Sequence, residues 1–79
     1  MALSDLPLAS GLDHARVLQK CFQWNVRRKG NHITLTHPHY PGITLSIPNH
    51  KEVKRPLLHA QIVKAGRTDE EYREAFDSL

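Results

Sequence analysis

"FQWNVRRKGNHITLTHPHYPGITLSIP", residues 22–48, holds three runs in which apolar and polar side chains alternate. In the first, Phe22, Trp24 and Val26 alternate with Gln23, Asn25 and Arg27. In the second, Ile33 and Leu35 alternate with His32, Thr34 and Thr36, and in the third Ile43, Leu45 and Ile47 alternate with Thr44 and Ser46. A period of two marks a strand buried on one face only. Lys29-Gly30-Asn31 separates the first two runs, and Gly30 and Asn31 tolerate the positive φ of a tight hairpin. Pro38 to Gly42 separates the second and third, with Pro41-Gly42 suited to a type II turn. Three strands joined by two short turns predict an antiparallel meander.

Helical signals flank the meander. Ser10 is a good N-cap with Asp13 three positions on, and Leu12, Ala15, Leu18 and Cys21 recur at three-residue steps, which predicts a first helix over 11–21. Pro48 stops the third strand, and Pro56 suits the first position of a second helix whose face is Leu58, Ile62 and Ala65 and whose C-terminal cap is Gly66. Thr68 and Glu71 form a capping box for a short last helix carrying Tyr72, Ala75 and Phe76. Leu58, Ile62 and Phe76 are read as core. Residues 1–9 have no clear periodicity and read as a flexible arm, leaving 10–79 as one domain.

The predicted order is therefore α-β-β-β-α plus a short helix, an α+β fold. Single apolar stripes on the helices and single apolar faces on the strands put the helices on one side of the sheet. The other side is left open, displaying Gln23, Asn25, Arg27, His32, Thr34, Thr36, Thr44 and Ser46. That is the plan of double-stranded-RNA-binding domains.

Composition narrows the function. The chain has 79 residues, room for one small core, and a formal charge of +3. Glu52 is the sole acid between residues 16 and 67, so the middle of the chain is basic. A basic middle suits a polyanion such as nucleic acid; a solvated basic face is the plainer alternative. One cysteine, Cys21, excludes an internal disulfide and every cysteine-based zinc motif. No stretch approaches the ~18 apolar residues of a membrane span, and the first ten residues lack the basic and apolar regions of a secretory signal. A soluble, cytoplasmic protein without a cofactor is expected.

His32 is the sharpest candidate for chemistry. Imidazole can take and give a proton near neutral pH, and Arg27, Arg28 and Lys29 precede it across a tight turn with Asn31. Such a group could hold an RNA phosphodiester while a base activates the neighbouring 2′-hydroxyl. An exposed strand histidine beside a solvated turn is the competing explanation. A metal site built from His32, His37, His39 and His50 is disfavoured, because alternation puts His32 and His37 on opposite faces with no cysteine or carboxylate near. Lys51, Lys54 and Arg55 form a second basic group at a helix start, where cations oppose the helix dipole, which points to phosphate contact. Trp24 and Tyr40 could stack on bases; alternation puts Trp24 in the core and leaves Tyr40 undecided.

Read in order, "SGLDHARVLQKCF", "VRRKGNHITLTHP", "LSIPNH" and "LLHAQIVKAGRTDEEY" resemble the HicA (YcfA-like) family of bacterial mRNA interferase toxins. The matching features are Ser10-Gly11 opening a helix, Arg27 through His32 at the basic turn, His37-Pro38, Ile47 through His50, and Ala65-Gly66. Asn31 stands where the family usually has serine. The resemblance implies a ribonuclease acting on mRNA, with a double-stranded-RNA-binding-like fold and His32 as its catalytic residue. It also implies a HicB-type antitoxin that covers the active site. A non-catalytic RNA-binding module of the same fold, or a subunit that only docks to another protein, is the alternative.

Overall fold

The computed structural model describes residues 5–79. Its elements are α1 (Gly11–Phe22), β1 (Asn25–Lys29), β2 (His32–His37), β3 (Tyr40–Pro48), α2 (Arg55–Lys64) and α3 (Asp69–Ser78). The strands make one antiparallel sheet in the order β1-β2-β3. The α+β meander with flanking helices is thus the fold observed. Ile33, Leu35, Leu45 and Ile47 have no exposed surface and pack with Leu18, Trp24, Leu58, Ile62 and Tyr72. Each fully buried aliphatic side chain stabilises the fold by about 1.5–3 kcal/mol.

Helix α1 starts as expected, with the Asp13 N–H donating to Ser10 Oγ at 3.1 Å. Its buried stripe, however, is Gly11, His14, Ala15, Val17, Leu18 and Phe22, while Leu12 is 50% exposed. The helix also runs past Cys21 to Phe22 and closes on Gln23, whose φ of 65° is left-handed. The Trp24 N–H donates back to the Leu18 carbonyl at 3.1 Å. This left-handed step turns both Phe22 and Trp24 inward without a strand between them. The first strand therefore begins at Asn25, and Gln23 does not belong to the open face.

The second turn also differs from the expectation. Pro38 and His39 alone make it, and Pro41-Gly42 falls inside β3, where the register jumps between the pairs Thr36–Thr44 and His37–Tyr40. The cause is His37, which is buried. Its Nε2–H donates to the Phe22 carbonyl at 3.0 Å, and its Nδ1 accepts the His39 N–H at 3.1 Å. One ring thereby caps the end of α1 and fixes the turn after β2.

The outer edge of β3 is closed at its C-terminal end. Asn49 N–H donates to the Asn31 carbonyl at 2.9 Å, so by antiparallel alternation the backbone groups of Ser46 and Pro48 point away from β2. Gln61 Oε1 from α2 accepts the Ser46 N–H at 2.9 Å, and Pro48 has no N–H to satisfy. Gly11 lies against the Pro48 carbonyl and donates its N–H to the His50 carbonyl at 2.9 Å. A Cβ at Gly11 would overlap the Pro48 oxygen.

Residues 5–9, expected as part of a flexible arm, are packed down; residues 1–4 of that arm lie outside the described residues. Leu6 has no exposed surface, Val53 N–H donates to the Ala9 carbonyl at 2.8 Å, and Arg55 Nε donates to the Leu6 carbonyl at 2.8 Å. Helix α2 begins at Arg55, one residue before Pro56, and ends at Lys64, with Gly66 just past the cap residue Ala65 at a φ of 76°. Helix α3 has the expected capping box. The Glu71 N–H donates to Thr68 Oγ1 at 3.1 Å and the Thr68 N–H to Glu71 Oε1 at 3.0 Å, which holds the Glu71 carboxyl below its usual range. Phe76 is only partly buried, against the core.

Tyr72 of α3 meets His14 of α1 in the core, with Tyr72 Oη 2.6 Å from His14 Nδ1. Burial pushes the phenol's ionisation upward, so the hydroxyl keeps its proton and donates to Nδ1. His14 Nε2 is then the ring's N–H, buried with no partner. Burial lowers the His14 pKa to about 4, against a slight opposing effect of Asp13. Below pH ~6.5 the unfolded chain gains a proton on this ring that the folded chain refuses. Stability should therefore fall as pH drops from about 6.5 to about 4, by an amount on the order of 3 kcal/mol. Urea unfolding at pH 7.5, 6, 5 and 4.5 measures this, and His14→Gln should show a shallower fall over the same window.

Gly11→Ala should cost about 2 kcal/mol, because both neighbours of the added methyl are backbone that cannot swing aside. A thermal midpoint lower by roughly 10 °C is expected, and an unchanged midpoint would contradict the close approach.

Candidate nucleic-acid-binding site

The site lies at the hairpin between β1 and β2. His32 is exposed at the first position of β2. Val26 pairs with Leu35, but the next pair is Arg28–Thr34, so Arg27 is an extra residue in β1. A bulge of this kind re-aims the side chains that follow it. Plain alternation from Val26 would have put Arg27 beside Thr34. The bulge instead makes Arg28 the cross-strand neighbour of Thr34, on the face that also carries His32. Arg28, Gly30, Asn31, His32 and Thr34 line a shallow depression of about 260 Å³.

The turn itself is held from β3's end. Gly30 N–H donates to the His32 carbonyl at 3.1 Å, and the Gly30 carbonyl accepts from Asn49 Nδ2 at 3.0 Å. The backbone N–H of Asn49 holds the neighbouring Asn31 carbonyl.

The expected contact residues divide by position. Arg28 and Asn31 share the depression with His32, whereas Arg27 and Lys29 are exposed but do not line it. Lys51 and Lys54 are exposed on the connector between β3 and α2. Arg55 is half-buried and bonded through Nε to the Leu6 carbonyl, which ties it to the N-terminal segment. Thr34 lines the depression although alternation alone gave it no special role. Asn49 was not singled out either; its sign in the sequence is a polar, turn-favouring residue directly after the proline that stops β3.

Trp24 and His37 belong to the packed structure. Trp24 is 2% exposed and Tyr40 is 45% exposed, stacked on it with ring centres 6.2 Å apart. Both ring nitrogens of His37 are engaged in hydrogen bonds, so neither is free for a ligand. Among the described residues no three His, Cys, Asp or Glu side chains converge as metal ligands. A second groove of about 290 Å³ lies between α1 and α3, lined by Asp13, Arg16, Val17, Lys20, Phe76 and Leu79. It is slightly the larger, yet it holds no histidine beside a cation and has a mainly apolar floor. The depression at His32 is the one with groups suited to phosphate chemistry.

Among the described residues no helix is long and apolar enough to cross a membrane. No curated protein and no solved structure gave a match to the chain. The family model for the HicA toxin of bacterial toxin–antitoxin systems matches residues 13–66. That span takes in α1, the whole sheet with its basic hairpin, and α2 as far as its glycine cap, more than half of the chain. The chain therefore belongs to the HicA toxin family of bacterial toxin–antitoxin systems.

Proposed function

We propose that this HicA-family chain is a metal-independent endoribonuclease that cleaves mRNA, with His32 as general acid/base. The observation that carries the reading is the bulge at Arg27, which brings Arg28 into one depression with His32. The arginine's fork of donors suits the two free oxygens of a phosphodiester. His32, neutral, takes the proton of the adjacent 2′-hydroxyl, whose oxygen attacks phosphorus while the P–O5′ bond breaks. The products are a 2′,3′-cyclic phosphate and a 5′-hydroxyl, the latter protonated by the imidazolium, water or a lysine. Asn31 and Thr34 offer further hydrogen bonds at the rim, and Arg27, Lys29, Lys51, Lys54 and Arg55 extend the positive surface along the strand. Arg55 does so with the donors that its bond to Leu6 leaves free. In the cell the partner is an antitoxin of the HicB type, and covering the open sheet face is the direct way to block the site.

His32→Ala should lower RNA cleavage by about 10²–10⁴-fold and relieve growth arrest on induced expression. Its stability should stay within about 0.5 kcal/mol of wild type, because the side chain is exposed. Full activity in that variant would remove the assignment. Cleavage should persist in EDTA. A non-catalytic RNA-binding module would instead bind RNA in a salt-sensitive way and leave it intact.

The two arginines separate the bulged register from plain alternation. Arg28→Ala should slow cleavage at saturating RNA by about 10-fold or more, since it loses a charge-assisted contact at the reacting phosphate. Arg27→Ala should change mainly affinity and its salt dependence. A larger rate loss at position 27 than at 28 would contradict this division.

A further inference from the structure

His32 opens β2, paired with Pro48 and followed by the buried Ile33, but the turn that leads into it has little to hold it. Gly30 has no neighbour close to where a Cβ would be except the Arg28 side chain at 3.9 Å, and Gly30, Asn31 and His32 are all exposed. A general base must stay within hydrogen-bond reach of its proton, and a displacement of about 1 Å can cost about 100-fold in rate. The buried Ile33 anchors the strand side of this histidine, so its remaining freedom is set by what fixes residues 30 and 31 on the turn side.

We propose that Asn49 is the positioning residue of the site, holding the His32-bearing turn in register without itself touching RNA. The inference rests on the ribonuclease reading of that site. Asn49 makes two bonds to two successive carbonyls of the turn: Nδ2–H to Gly30 at 3.0 Å and backbone N–H to Asn31 at 2.9 Å. Gly30 is in turn bonded through its N–H to the His32 carbonyl at 3.1 Å. A continuous path thus runs from the Asn49 amide through the Gly30 peptide to the backbone of the catalytic histidine. Among the described residues, the Asn49 amide is the sole side chain with a hydrogen bond to the turn. Asn49 is not among the residues that line the depression, so its effect on a reaction there is indirect.

The chemistry of residue 49 is restrictive. The Gly30 carbonyl needs a donor, so an aspartate would set oxygen against oxygen, and alanine would leave the turn to its two backbone bonds, from Asn49 to Asn31 and from Gly30 to His32. Glutamine keeps the donor on a longer arm, which the exposed site can accommodate. The asparagine also links the hairpin to the connector carrying Lys51 and Lys54, so the two basic groups of the surface are braced against one another.

The test compares wild type, Asn49→Ala and Asn49→Gln in single-turnover cleavage of an unstructured RNA oligonucleotide, with RNA affinity, thermal midpoint and Gly30 amide exchange measured alongside. Asn49→Ala should lose between about 10- and 100-fold in maximal rate, with Kd within about two-fold of wild type. Its Gly30 amide, which donates to the His32 carbonyl, should exchange about five-fold faster because a turn without the brace on the Gly30 carbonyl opens more often. Asn49→Gln should recover part of the rate. A rate in Asn49→Ala within about two-fold of wild type overturns the proposal. So does a rate loss wholly explained by weaker RNA binding or a smaller folded fraction. Wild type that cleaves no RNA defeats the ribonuclease reading itself, whereas unchanged Gly30 exchange in Asn49→Ala defeats the brace alone.

Discussion

The structure hangs on the approach of the first residue of α1 to the end of β3. Gly11 sits where any Cβ would overlap the Pro48 carbonyl, and its N–H is held by the His50 carbonyl. That contact lays α1 across the sheet at a distance no other residue allows. It also fixes where β3 stops, and so the path of the connector to α2. With α1 in place, His14 and Phe22 reach Tyr72 and the last helix is drawn onto the core. Ser10, Gly11 and Pro48 are thus parts of one joint, although nearly forty residues lie between its two sides.

The candidate site depends on this joint at one remove. Asn49 follows Pro48 directly, and the β1–β2 turn is tied to it. The turn side of the histidine is therefore placed by backbone and amide bonds, while the packing of Ile33 holds its strand side. Such an arrangement leaves the imidazole open to a large polymeric ligand from the solvent side, which a buried base would exclude. The bulge in β1 completes the arrangement by choosing which of two adjacent arginines faces the same way. One inserted residue does what a change of sequence would otherwise have to do.

Much of this could be read from the residues. Period-two alternation in 32–37 and 43–47 gave β2 and the regular part of β3, since both strands bury one complete face. The Thr68–Glu71 capping box and Gly66 are local devices and were equally legible. His32 stood out because a histidine after three cations, a glycine and an asparagine is legible as a unit. What escaped was decided by long-range contact. Gln23 is left-handed because Phe22 and Trp24 both have to enter the core, and no nearby residue announces that. Nothing next to His37 in the sequence marks it as buried and capping α1 from fifteen residues away. His14 was hidden on a helix whose apolar stripe looked complete without it. The Arg27 bulge has no signature of its own, because alternating residues carry no mark of the position at which a partner strand skips one.

The two margins of the sheet are treated differently, and this bears on how the chain behaves at high concentration. The margin at β3 is occupied from Ser46 to Pro48 by Gln61 and Gly11, so that end offers little to a passing strand. Among the described residues no strand pairs with the outer side of β1. A second copy arriving there would set Arg27, Arg28 and Lys29 against their own duplicates across an irregular, bulged strand. Like charge and broken spacing both disfavour that pairing. The cations that make the hairpin attractive to a polyanion therefore also keep the free chain from stacking sheet to sheet, and a neutralising partner would remove that protection while covering the same margin itself.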